Sequence, residues 1–246
     1  MKIINKERLL KLPDVVMFDL DNTLYDYDTA EKNAENELKK AFKERLSLEL
    51  HDFDNLYQES KYDVKNFLVN TASSHSRLLY IQSLLEKIEL GSELSLILEF
   101  EQIYWTSFFE NMTVFPGVVE LLEELRLLEI PCCIVTDLTS VIQFRKLIYL
   151  DLEKYFKNIT TSEEVINDKP NSAIFVKSIQ KLIHKNQSKN IWMIGDSIDK
   201  DIIGAKKSVN AVTFLKSEKL IQTNVDSIFS NFNDLKEFIS TLDSGT

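Results

Sequence analysis

Short apolar runs alternating with helical segments predict an α/β fold: a parallel-sheet core with an α-helical domain inserted after its first strand. Three observations carry this reading. Residues 15–20 are almost wholly apolar, as a strand covered on both faces must be. Residues 27–111 hold a single glycine, Gly91, and no proline, and their apolar positions recur with helical spacing. After Phe115-Pro116-Gly117, strand-like and helix-like stretches alternate to the end, the pattern of βαβ units with right-handed crossovers.

Each element has its own signal. Pro13 and Asp14 mark the start of the first strand. In the insertion, Leu78, Leu79, Ile81, Leu84, Leu85 and Ile88 form one apolar stripe, and Leu94, Ile97, Leu98, Ile103 and Phe108 another, so four or five helices are expected. Beyond it come a helix at 118–128, a strand at 132–135, a helix at 139–149 and a short strand at 158–161. A helix at 172–184, a strand at 191–194, a helix at 201–208, a strand at 211–215 and a helix at 233–242 complete the core. The division is residues 1–25 and 112–246 for the sheet domain and 26–111 for the helical one.

With 246 residues the chain can bury a sizeable core. Its net charge of −10 argues against binding a nucleic-acid polymer, which needs a positive field. Lys2, Lys6, Glu7, Arg8 and Lys11 interrupt any apolar leader, and no apolar stretch is as long as a membrane span, so a cytoplasmic location is expected. Cys132 and Cys133 are adjacent on a predicted strand and point to opposite faces, which makes a bridge between them implausible and fits reduced thiols.

The chemistry sits where apolar runs end. Asp19 and Asp21 follow the first strand, Thr136 the strand at 132–135, and Gly195-Asp196-Ser197 the strand at 191–194; Lys169-Pro170 precedes a helix and Asp201 starts one. In an open parallel sheet, ligands bind in the crevice beyond the strand ends. Three carboxylates, a hydroxyl and an ammonium converging there suit a divalent metal and a phosphoryl group. Asp19 could attack phosphorus while Asp21 serves as acid and then base; alternatively, D-x-D is a turn. Asp19, Asp196 and the Asp21 carbonyl would form a Mg²⁺ shell, Asp201 would order metal-bound water or complement a helix dipole, and Asp199 reads as a cap. Thr136 could donate to a phosphate oxygen or simply be a turn residue, and Lys169 could neutralise charge on the nucleophile and on phosphorus or face solvent.

DLDNTLYD from Asp19, Thr136, Lys169-Pro170 and GDSIDKDIIGA from Gly195 resemble, in order, the four motifs of the haloacid dehalogenase superfamily, in its phosphatase branch. The resemblance spans the chain. It implies a Rossmann-like core, Asp19 as nucleophile, Asp21 as general acid/base, and Mg²⁺ on Asp19, the Asp21 carbonyl and Asp196. The helical insertion resembles the family's mobile cap, and Asp21 speaks against dehalogenation. One departure stands out: many relatives carry Asn after the second-motif Thr or Ser, whereas Asp137 stands here. An added carboxylate would repel phosphate unless it faces away or finds a cation or hydroxyl.

The expected function is a Mg²⁺-dependent phosphomonoesterase for a small phosphorylated metabolite, a sugar phosphate or nucleotide, working as a monomer or homodimer. A phosphomutase of the β-phosphoglucomutase type and a catalytically idle binding or regulatory protein are the alternatives. Within the insertion, His75 and Arg77 are the candidate substrate contacts, against an N-cap at Ser73 or Ser74 with ordinary surface charges. Tyr104, Trp105, Phe108 and Phe109 read as helical core or as a seam against the sheet domain. Tyr25 and Tyr27 could line the pocket.

Overall fold

The computed structural model describes residues 1–47, 50–182, 190–219 and 224–243. Two compact units emerge, residues 1–25 with 114–246 and residues 26–113. The first holds β1 (Lys2–Ile3) and β2 (Val15–Phe18). The second is helical: α1 (Tyr27–Leu46), α2 (Leu50–Phe67), α3 (Arg77–Lys87) and α4 (Leu94–Glu110). The chain then returns to the first unit through α5 (Val118–Leu127), β3 (Cys132–Thr136), α6 (Ser140–Tyr149), β4 (Phe156–Thr161), α7 (Ser162–Val165) and α8 (Ser172–Leu182). It closes with β5 (Ile191–Gly195), α9 (Gly204–Val209), β6 (Val212–Lys216), β7 (Ser227–Phe229) and α10 (Phe232–Asp243). The end of the helix expected at 172–184 lies outside the described residues.

Among the described residues the sheet has seven strands in the order β1-β7-β6-β5-β2-β3-β4, parallel except for β1 on β7. Central β2 carries β3 on one side and β5 on the other, so the winding reverses at its end and opens a crevice there. Both faces are covered, which is why the strands read as unbroken apolar runs. Met17, Cys133, Val135, Ile191 and Met193 pack with Ile174 and Phe175 of α8 and Ala205 of α9. Trp192 points to the other face, meeting Phe214 at 4.5 Å between ring centroids and Phe238 of α10 at 6.3 Å. Each such aromatic or aliphatic side chain contributes about 1.5–3 kcal/mol on burial. Both cysteines are buried free thiols.

Two differences from the sequence expectation are local. The helix expected at 201–208 is split: a π-helical segment, Ile198–Ile203, leads into α9. Strands β1 and β7, of two and three residues, were too short to show a periodicity.

In the helical unit, Asp26 caps α1 by accepting from the Thr29 backbone N–H at 3.0 Å. Ser76, not Ser73 or Ser74, caps α3, accepting from the Leu79 N–H at 3.3 Å. Phe42 stacks on Phe100 at 3.9 Å between centroids, joining α1 to α4. Among the described residues no helix is long and apolar enough to cross a membrane.

Candidate active site

The register of β2 builds the site. Phe18 lies opposite Ile134 of β3 and Ile194 of β5, so the residues that follow leave the sheet side by side. The Asp19 N–H still donates to the Ile194 carbonyl at 2.9 Å, holding Asp19 in line with the strand. Asn22 then turns the chain with φ 59°, a left-handed conformation that Asn tolerates.

Lys169 is the hub. Its ammonium donates to Asp19 Oδ1 at 2.6 Å, to Asp201 Oδ1 at 2.7 Å and to the Val135 carbonyl at 3.0 Å. Asp196 completes the cluster: oxygens of Asp19, Asp196 and Asp201 lie within 4.8 Å of one another. Thr23 Oγ1 stands 3.0 Å from Asp19 Oδ2 and 3.1 Å from Asp196 Oδ1, sharing one proton between them. Asp201 also accepts the Ser197 N–H at 3.0 Å. It is fully buried and held at Lys169 rather than serving as an exposed cap.

Three clustered carboxylates outnumber one ammonium, and their proton affinities reflect it. Burial pushes Asp19 up to about 7, with Lys169 opposing and Asp201 adding to the rise. Burial likewise lifts Asp196 to about 6, with the Asp19 charge adding. Burial disfavours the charged form of Lys169, but Asp19, Asp201 and Asp137 outweigh it and keep the ammonium firmly protonated. A cluster of hard oxygens with excess negative charge and little water fits a divalent cation.

Gly195 owes its place to this cluster. A Cβ there would stand 2.4 Å from Asp201 Oδ2 and 2.6 Å from Asp201 Cβ. The glycine is required by the close approach of Asp201.

Asp21 faces a separate set of donors. Lys146 Nζ lies 2.8 and 2.9 Å from its two oxygens, Tyr25 donates to Oδ1 at 2.6 Å, and Gln143 Nε2 reaches Oδ2 at 3.3 Å. Burial alone would raise the Asp21 carboxyl; the Lys146 charge and these hydrogen bonds prevail and hold it below the usual carboxylate range. Gln143 also donates to Thr136 Oγ1 at 2.6 Å and to the Asp137 carbonyl at 2.8 Å.

The structure thus brings Asp19, Asp21, Thr136, Lys169, Asp196 and Asp201 to one end of the sheet. His75 and Arg77 belong to the helical unit. There the Arg77 guanidinium donates to Tyr27 and Glu31, to the Tyr104 hydroxyl at 3.1 Å and to the His75 carbonyl at 2.7 Å. It lies 5.5–5.9 Å from the ring centroids of Tyr27, Tyr80, Tyr104 and Trp105. These contacts tie Arg77 of α3 to residues of α1 and α4. Tyr104, Trp105, Phe108 and Phe109 pack on one another within the same unit.

Sequence reasoning missed Thr23, Gln143 and Lys146, and it offered Tyr25 as a pocket-lining residue without its bond to Asp21. Gln143 and Lys146 are three apart on α6 and fully buried, while Val141, Phe144 and Ile148 of the same helix are exposed. Its buried face is mixed, Ile142 and Leu147 lying beside Gln143 and Lys146, so a reading that assigns apolar residues to the core puts the two polar ones in solvent.

Comparison with known proteins agrees with this geometry. A family model described as haloacid dehalogenase-like hydrolase matches residues 13–208. The chain is 34% identical over 210 residues to the ribulose-1,5-bisphosphate 5-phosphatase of Halopiger xanaduensis, covering 83% of this chain and 85% of that protein. It is 30% identical over 194 residues to the glyceraldehyde 3-phosphate phosphatase of Methanopyrus kandleri, covering 78% and 79%. Among solved structures, a HAD phosphatase from Thermococcus onnurineus superimposes with TM-score 0.70 at 20% identity, over 92% of this chain and 97% of that one, a likeness of fold.

Proposed function

The chain belongs to the haloacid dehalogenase-like hydrolase family, among its phosphatases, and we propose that it hydrolyses a small phosphorylated sugar through an aspartyl-phosphate on Asp19. The observation that supports this most is the Lys169 ammonium set between Asp19 and Asp201, with Asp196 beside them. Such a hub would neutralise a carboxylate nucleophile beside the carboxylates that could take a cation. The sugar class follows from the two relatives, named for ribulose-1,5-bisphosphate and glyceraldehyde 3-phosphate.

In the first half-reaction Asp19 forms a bond to phosphorus as the ester P–O bond breaks, and Asp21 gives a proton to the departing oxygen. In the second, Asp21 takes a proton from water, whose oxygen displaces Asp19 and releases inorganic phosphate. Because Asp21 is held ionised in the free site, the proton it gives must arrive with the substrate, a monoester monoanion, and the proton it takes from water leaves with inorganic phosphate. Lys146, Tyr25 and Gln143 fix Asp21 for these transfers, and Thr136 offers its backbone and hydroxyl to a phosphate oxygen. Asp19, Asp196 and the Asp21 carbonyl would hold Mg²⁺, whose chemistry is to draw charge from the phosphoryl oxygens.

The test is phosphate release from a panel of sugar phosphates and nucleotides with Mg²⁺, alongside Asp19→Asn. A sugar phosphate should lead, and the variant should lose roughly 10³-fold or more in rate while folding normally. Isomerised substrate without free phosphate would identify a mutase instead, and an unchanged rate in the variant would remove Asp19 as nucleophile.

A further inference from the structure

Asp137 follows Thr136 at the exit of β3, where a neutral side chain would suit an arriving phosphate anion. The structure places two partners on its carboxylate. Oδ1 accepts the Lys169 backbone N–H at 2.8 Å, and Oδ2 meets Lys200 Nζ at 2.7 Å. Lys200 sits in the π-helical segment after β5, its side chain 42% exposed against 13% for Asp137. An asparagine could accept the Lys169 N–H equally well, so hydrogen bonding alone does not call for a carboxylate. The pair adds one negative and one positive charge beside the hub and ties together the segments carrying Thr136, Lys169 and Asp196.

We propose that Lys200 and Asp137 form a charge-matched pair that sets phosphate affinity: Lys200 masks the carboxylate, and phosphate binds more weakly when the mask is removed. This inference rests on the phosphatase reading. The two lysines and Asp137 share one field: Asp137 is among the charges that strengthen proton binding at Lys169, and Lys169 weakens it at Lys200. Both residues act through charge on the bound anion, so their effects must compensate rather than add.

Calorimetric titration of the full chain with inorganic phosphate in Mg²⁺, paired with steady-state kinetics, tests the proposal. Lys200→Met should weaken phosphate binding and raise KM by about tenfold, as one unmasked charge across a partly wet site would. The kcat should move less than about threefold, because the hub itself is intact. Lys200→Gln, which keeps polarity without charge, should behave alike, and Asp137→Asn should bind phosphate at least as tightly as the unaltered chain. The double variant Asp137→Asn/Lys200→Met should return to within about threefold of the unaltered chain. A double variant as weak as Lys200→Met, or a Lys200→Gln that binds normally, would overturn the pairing. A chain that binds phosphate with this compensation but hydrolyses no ester would sink the phosphatase reading alone; turnover with additive variants would sink the pair alone.

Discussion

Lys146→Met tests what holds Asp21. Methionine keeps the length and apolar bulk of the lysine stem, so the packing of α6 is preserved and the ammonium alone is lost. Lys146 is fully buried and bonded to both Asp21 oxygens, whereas the Asp21 side chain keeps 29% exposure. Breaking a buried ion pair costs about 3–5 kcal/mol. The Asp21 opening to water, with the Tyr25 and Gln143 hydrogen bonds that remain, puts this case near the lower end, about 3 kcal/mol. For a protein of this size that lowers Tm by roughly 6–12 °C. Calorimetric melting of the single variants and of Lys146→Met/Asp21→Asn gives the coupling directly. With the aspartate charge removed, the methionine should cost about 1 kcal/mol or less. Below Tm, turnover of alkyl phosphates should also fall by up to about 10²-fold as Asp21 loses its fixed position. An equal cost of Lys146→Met with and without the Asp21 charge would refute the reasoning, because the lysine would then be acting on something else.

Gly195→Ala should drive its new methyl into the Asp201 carboxyl, displacing it from Lys169; a loss of about 1–3 kcal/mol in denaturant melts and a fall in phosphate release are expected, and a silent variant would show that the approach is looser. Glu31→Gln probes the helical unit. Burial raises the Glu31 carboxyl, but Arg77, Lys61 and Tyr27 outweigh it and hold it below the ordinary value of 4.5. A carboxyl lowered by folding contributes stability above its unfolded pKa and loses it as pH falls through the folded one. The variant should therefore cost about 2 kcal/mol at pH 7 and less at about pH 4, and an equal cost at both would contradict the ion pair.

Much of this was legible because strand exits are legible. A buried strand reads as an apolar run, and a polar residue straight after it must leave the sheet at the same edge as its neighbours. Asp19, Thr136 and Asp196 were found that way, and the register of β2 with β3 and β5 puts their positions together. Lys146 and Gln143 were hidden because α6 buries these two polar side chains along with Ile142 and Leu147 and leaves Val141, Phe144 and Ile148 outside. Only the partner, Asp21, reveals the reason, and the partner is 125 residues away. Arg77 is the opposite case: beside His75 it reads as a polar candidate contact, and the structure buries it among tyrosines and a glutamate of its own unit.

The lysines also explain why the acidic residues do not act alike. Asp21 has Lys146 and Asp137 has Lys200, each pair close to neutral. Asp19 and Asp201 share Lys169, and Asp196 has the Thr23 hydroxyl but no lysine at ion-pair distance among the described residues. Five carboxylates and three ammonium groups leave two negative charges, all of that excess on Asp19, Asp196 and Asp201. Without a counter-charge, burial lets Asp19 take up a proton near neutral pH, a form in which a carboxyl could not attack phosphorus. A divalent cation would match the excess and keep Asp19 ionised; on the proposed reading, the placement of lysines would then decide which carboxylates serve metal and phosphorus and which serve proton transfer or masking.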